Sequence, residues 1–145
     1  VSKRKIASLE DLRSFASEMA TLRSDRLIVM LDGPMGAGKT QFTKFFLEAL
    51  GSHETVSPSF AVHNSYETSR GLVHHFDLFR LENADDLEST GFWDLFLDQT
   101  AWVVIEWSEK LEQFGLRGSL PMSWKQVHLQ IDVDANGVRW IETLS

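Results

Sequence analysis

The octapeptide GPMGAGKT, Gly33 to Thr40, lies just after the apolar run LIVML, Leu27 to Leu31. It satisfies G-x-x-x-x-G-K-[ST] without a mismatch. A loop of this kind needs a strand to deliver it and a helix to leave it, so it constrains the fold more than any other segment. Glycines let successive backbone amides converge on phosphate oxygens, and the following helix aims its positive end at them. At average composition such a match arises by chance in about one sequence in two hundred of this length. The flanking pattern lowers that further. Leu27 to Leu31 is apolar on both faces, as a buried parallel strand requires. Gln41 to Leu50 carries Phe42, Phe45, Phe46, Ala49 and Leu50 at helical spacing, with Gly51 placed to end the helix.

The rest of the chain reads as alternating strands and helices. Ser8 and Asp11 form a variant capping box ahead of a helix to about Leu22. Phe60 to Tyr66 and Leu72 to Leu78 read as strands joined by a hairpin turn over Glu67 to Gly71, the first starting after Pro58. Asn83 caps a short helix closed by Gly91, and Phe92 to Asp98 adds a helical turn or two. Trp102 to Trp107 is a further buried strand. Gln126 to Val133 and Val138 to Thr143 alternate about Asn136-Gly137, a strong hairpin signal. The expected fold is one α/β domain of the P-loop NTPase type over residues 1 to 145. Its sheet is mixed and mostly parallel, with antiparallel hairpins and flanking helices. Residues 1 to 7, with the dense cluster Ser2-Lys3-Arg4-Lys5, are expected to be a mobile, solvated terminus.

Candidate site residues follow from the loop. Gly33, Met35, Gly36, Ala37, Gly38, Lys39, Thr40 and Gln41 are placed to contact nucleotide phosphates. Lys39 would reach the β- and γ-phosphates, and the Thr40 hydroxyl would hold Mg²⁺. Hydrolysis also needs a carboxylate. Asp77 ends LVHHF and Glu106 ends WVVI, each at the ligand-binding edge if its strand runs parallel to Leu27–Leu31. Either could hold the metal and the other the attacking water. Ser57 and Ser59 follow the loop helix, where a hydroxyl could sense the γ-phosphate. Trp107 and Arg80 are candidates for contact with nucleotide or a partner, and Arg80 or Arg117 for transition-state charge. His74 and His75 point to opposite faces of a strand, one packed and one exposed, so they share no metal.

The formal charge of -7 argues against tight direct binding to nucleic acid, since phosphate neutralisation by basic side chains supplies most of that affinity. No apolar run approaches the roughly 20 residues that span a bilayer. VSKRKIASLEDL lacks the apolar stretch of a signal peptide, so a cytoplasmic location is expected. Cysteine is absent, which excludes disulfides and thiolate-bound metals.

Taken in order, GPMGAGKT, SPSF, HHFDLFRL, DLESTGFWDLF and VVIEWSEKLE resemble the TsaE family, also called YjeE. HFDLFRL and VIEW are features of that family and not of nucleotide-binding loops in general. The resemblance implies a bacterial Mg²⁺-dependent ATPase that serves threonylcarbamoyl modification of the adenosine beside the tRNA anticodon. It implies TsaB and TsaD as partners and only indirect contact with tRNA. By position, Lys39 corresponds to the phosphate lysine, Thr40 and Glu106 to the metal site, Asp77 to the second carboxylate, and Ser57 to Phe60 to the switch-like segment. The chain departs from the family at Pro34-Met35, at Ser59, at Phe79 (usually Tyr) and at Ser108 (often Pro or Ala). Two other readings are open. A small-molecule kinase would need an arginine-rich lid, and Ser108 to Met122 has only Lys110 and Arg117. A nucleotide-gated binding module would use binding without turnover.

Overall fold

The computed structural model describes residues 2–22, 24–52, 62–97 and 102–144. Its elements run β1 (Ser2–Ile6), α1 (Leu9–Ala20), β2 (Leu27–Asp32), α2 (Lys39–Ala49), β3 (His63–Thr68), β4 (Gly71–Asp77), α3 (Ala84–Ser89), a 3₁₀ turn (Phe92–Leu97) and β5 (Trp102–Glu106). There follow α4 (Glu109–Gln113), a second 3₁₀ turn (Arg117–Ser119), β6 (Lys125–Val133) and β7 (Arg139–Leu144). The seven strands form one sheet in the order β1-β7-β6-β2-β5-β4-β3. At its centre β6, β2, β5 and β4 are parallel neighbours, and the antiparallel pairs β1–β7, β7–β6 and β4–β3 flank them. The expected single α/β domain with a mixed sheet is what the chain adopts.

Both faces of the sheet are covered, which explains why β2 and β5 are apolar up to their terminal acids and buried along their whole length. One core layer packs α1 and α2 against Leu27, Val29, Leu31, Val73, Trp102 and Val104. Aromatic rings run through it: Phe15 meets Phe42, Phe42 stacks on Phe46, and Phe46 stacks on Trp102. The opposite layer packs Leu87, Phe92, Phe96, Leu111 and Trp124 against Ile28, Met30, Phe76, Val103 and Ile105. Local signals act as read. The Ser8 hydroxyl accepts from the Asp11 amide at 3.1 Å, and the Asp11 carboxylate accepts from Ala7 at 2.9 Å. Asn83 caps α3 through the Asp86 amide at 2.9 Å. Among the described residues, no helix is long and apolar enough to cross a membrane.

Two expectations are corrected. The N-terminus is not a loose tail, because Ser2–Ile6 pairs antiparallel with β7 from Ser2↔Thr143 to Ile6↔Arg139. Backbone hydrogen bonds need no apolar pattern, and a basic edge strand resists further pairing. Ile6 alone of this strand is buried, while Arg4 bonds Glu18 at 2.7 Å and Lys3 lies over the Trp140 ring. Nor is one of the two adjacent histidines exposed. Both His74 and His75 are buried, because β4 has a packed layer on each side. His74 pairs with His63, whose ring stacks on Phe76. The strand expected from Phe60 is described from His63 onward, Phe60 itself lying outside the described residues.

Candidate functional site

Three neighbouring parallel strands end in acids: β2 at Asp32, β5 at Glu106 and β4 at Asp77. The register pairs Asp77 with Glu106 and Glu106 with Leu31. Paired residues of a parallel ladder point to the same face, so both Asp77 and Glu106 face α2. Between β2 and α2 the glycine loop turns over the sheet edge. Gly38 caps α2 at φ 111, a left-handed conformation that costs glycine little and other residues more. The result is a cavity of about 260 Å³ lined by Met35, Gly36, Gly38, Lys39, Thr40, Gln41, Asp77, Phe79, Glu106 and Trp107.

Lys39 is folded back on its own loop. Its ammonium donates to the Gly33 carbonyl and, at 3.0 Å, to the Pro34 carbonyl, and lies 4.1 Å from the centre of the Trp107 ring. Burial holds the amine below its ordinary pKa, against the opposing pull of Glu106 and Asp77. Glu106 is only 1% exposed. Its Oε1 accepts from the Thr40 hydroxyl at 3.3 Å, and its Oε2 lies 2.5 Å from His75 Nε2 and 3.4 Å from Thr43 Oγ1. The Thr43 hydroxyl hydrogen has a shorter acceptor in the Lys39 carbonyl at 3.0 Å. Burial drives the Asp77 carboxyl above the usual carboxylate range. The Phe79 amide, donating at 3.0 Å, pulls it down, and the charge of Glu106 pushes it up again.

The mouth of the cavity is aromatic. Phe79 is 40% exposed and its ring centre lies 4.8 Å from that of Trp107. Trp107 adopts φ 60, the one positive φ of a non-glycine residue among those described. Hydrogen bonds on either side hold that turn. The Trp107 amide donates to the Leu31 carbonyl at 2.9 Å. Next, the Ser108 hydroxyl and the Glu109 amide donate to Asp32 at 2.7 and 3.0 Å. His128 Nε2 meets Asp32 Oδ2, the oxygen that accepts from the Ser108 hydroxyl, at 2.5 Å, and Arg117 donates to the Ser108 carbonyl at 3.1 Å. Burial raises the Asp32 carboxyl, but the bonds from His128, Ser108 and the Glu109 amide together outweigh it and hold the group below its ordinary value.

Most of the residues singled out from the sequence are thus brought together. Gly33 and Ala37 are buried and do not line the cavity. Arg80 is exposed and off its wall. Arg117 is engaged with Asp32, Ser108 and Glu112 and not with the cavity. Ser57 and Ser59 lie outside the described residues. Sequence reasoning missed Asp32, His75 and Thr43. Asp32 carried the signal that marked Asp77 and Glu106, an acid at the end of an apolar run.

A glycine loop joining a central parallel strand to a helix, with two carboxylates facing it from neighbouring strand ends, defines an α/β domain of the phosphate-loop class. Comparison with known proteins is narrower. The family model described as "Threonylcarbamoyl adenosine biosynthesis protein TsaE" matches residues 6–139, and the chain belongs to the TsaE family. The resemblance read from HFDLFRL and VIEW is therefore borne out. The chain is 33% identical over 131 residues to the tRNA threonylcarbamoyladenosine biosynthesis protein TsaE of Haemophilus influenzae, covering 89% of this chain and 79% of that one. It is also 33% identical over 108 residues to the protein of the same name from Aquifex aeolicus, covering 72% and 75%. The crystal structure of Bacillus subtilus YdiB aligns over 97% of this chain and 82% of its own, with TM-score 0.72 at 23% identity, a likeness of fold.

Proposed function

We propose that this chain binds ATP with Mg²⁺ in the cavity at Gly33–Thr40 and hydrolyses it slowly in support of threonylcarbamoyl modification of tRNA. It acts on an assembly of TsaB and TsaD, and contacts tRNA only through that assembly. The single observation that carries the nucleotide reading is the approach of the Thr40 hydroxyl to Glu106 at 3.3 Å beside the glycine loop. A hydroxyl and a carboxylate oxygen are the hard donors Mg²⁺ takes alongside phosphate oxygens. Thr40 and Glu106 would hold the ion, which when bound neutralises charge on the β- and γ-phosphates. The family's place in threonylcarbamoyladenosine biosynthesis supports the pathway.

The chain's own groups supply the rest. Lys39 exchanges the Gly33 and Pro34 carbonyls for phosphate oxygens, a better partner for a buried ammonium. Asp77 orients the attacking water through an oxygen of its carboxylate. Its raised pKa suits a group that accepts a proton from that water. Trp107 and Phe79 shelter the phosphates from solvent or meet a partner at the mouth. Among the described residues, no cation other than Lys39 lines the cavity, and phosphoryl transfer without an arginine is slow. Turnover is therefore expected to rise when TsaB and TsaD are added.

The test is reconstituted tRNA modification with wild type and Lys39→Ala, alongside ATP turnover with and without the two partners. Lys39→Ala is expected to abolish both activities. Wild-type levels of modification from Lys39→Ala, or turnover indifferent to TsaB and TsaD, would overturn the proposal.

A further inference from the structure

Glu106 has a neighbour that the proposed mechanism does not use. His75 sits on β4 between Val73 and Asp77, on the sheet face that meets α2, and is 3% exposed. An apolar side chain would fill that position at no polar cost. Instead an imidazole is buried whose Nδ1 has no hydrogen-bond partner among the described residues and whose Nε2 meets Glu106 Oε2 at 2.5 Å. The contact fixes the tautomer. With the hydrogen on Nδ1, that donor would be buried and unpaired, and the Nε2 lone pair would face a carboxylate lone pair. The hydrogen therefore lies on Nε2, and His75 donates to Glu106.

We propose that His75 is a positioning residue for the metal site, acting through Glu106; this rests on the reading that Mg²⁺-nucleotide binds here. A glutamate has three rotatable side-chain bonds and two equivalent oxygens. His75 occupies Oε2, which leaves Oε1 turned to the Thr40 hydroxyl. The oxygen offered to the ion is thereby selected before the ion arrives, and the carboxylate is held from swinging onto Lys39. Partners of this kind, which bond a metal ligand and not the metal, typically cost about ten- to a hundredfold in metal affinity when removed.

The experiment is calorimetric titration of the full chain with ADP, in Mg²⁺ and in EDTA, for wild type, His75→Leu, His75→Gln and His75→Asn. Melting curves confirm that each variant is folded. The Gln amide can place an N–H where Nε2 stood, whereas the shorter Asn amide reaches only the Nδ1 position. His75→Leu and His75→Asn are expected to need about ten- to a hundredfold more Mg²⁺ for half-maximal enhancement of binding. Affinity in EDTA should be unchanged, and His75→Gln should recover most of the loss. The proposal is overturned if the folded Leu variant keeps the wild-type Mg²⁺ requirement, or if Gln is no better than Asn. It is also overturned if affinity in Mg²⁺ and in EDTA falls by one common factor, the mark of a purely structural role. Should His75→Leu fail to fold, the Gln and Asn pair decides. Wild type that binds no ADP at all would instead sink the nucleotide reading itself.

Discussion

Asp32 offers the sharpest test of how the cavity is held in shape. Asp32→Asn is nearly isosteric and changes only charge and hydrogen-bond direction. The asparagine oxygen can still accept from the Glu109 amide, which donates at 3.0 Å in the wild type. The other carboxylate oxygen receives the Ser108 hydroxyl at 2.7 Å and His128 Nε2 at 2.5 Å, and an amide NH₂ there can accept neither. Bonds to a charged acceptor are each worth about 1.5–3 kcal/mol, and removal of the buried charge returns part of that. The variant is therefore expected to lose about 2–3 kcal/mol, a large share of the roughly 5–15 kcal/mol that stabilises a domain.

Urea unfolding measures this directly, and pH provides the internal control. The folded-state carboxyl lies below its ordinary value, because its hydrogen bonds outweigh burial. A depressed carboxyl contributes stability that is present above the unfolded value, near 3.9, and lost as pH falls through the folded one. Asparagine has no such titration, so the gap between variant and wild type should be full at about pH 7 and shrink below about pH 4. The Trp107 turn, whose φ of 60 costs about 1–3 kcal/mol to hold, should loosen in the variant and weaken nucleotide binding. A gap under about 0.5 kcal/mol at neutral pH, or one that stays constant into acid, would refute the reasoning.

Two further outcomes follow from the same geometry. Gly33 has φ 147, and a Cβ there would overlap the Ile131 carbonyl oxygen on β6, so Gly33→Ala is expected to cost more than about 3 kcal/mol in urea unfolding and to abolish nucleotide binding; a stability near wild type would contradict this. Asp77→Asn should have the opposite sign of effect on stability: the folded carboxyl is raised, so its ionised form is disfavoured by folding at every pH above that raised value, and the amide variant should melt higher at neutral pH while losing ATP turnover, whereas a lower melting temperature would contradict the burial-driven shift.

What was legible in the sequence was what is local. The loop, the capped helices and the strand ends announce themselves within a few residues, and Gly33–Thr40, Asp77 and Glu106 could be named from them. β1 was not legible, because SKRKI has no apolar alternation and its pairing with β7 joins segments more than a hundred residues apart. The histidine between Glu106 and the core was illegible for a related reason: nothing in LVHHFD says which strand lies beside it.

Asp32 shows where the local signal stops and parity takes over. It ends an apolar run just as Asp77 and Glu106 do, yet the three acids do not converge. Leu31, not Asp32, is the residue in register with Glu106, so Asp32 lies one step further along its strand and points to the other face. That single step divides the labour at the sheet edge. On the α2 face, Asp77 and Glu106 are left to the cavity, with His75 and Thr40 setting the glutamate's two oxygens. On the opposite face, Asp32 gathers Ser108, Glu109 and His128 and so fixes the turn that carries Trp107 over Lys39. A one-residue shift in the β2–β5 register would exchange these roles, placing a third carboxylate against Lys39 and leaving the Trp107 turn without its anchor. The register of two apolar strands thus decides which acids face the glycine loop.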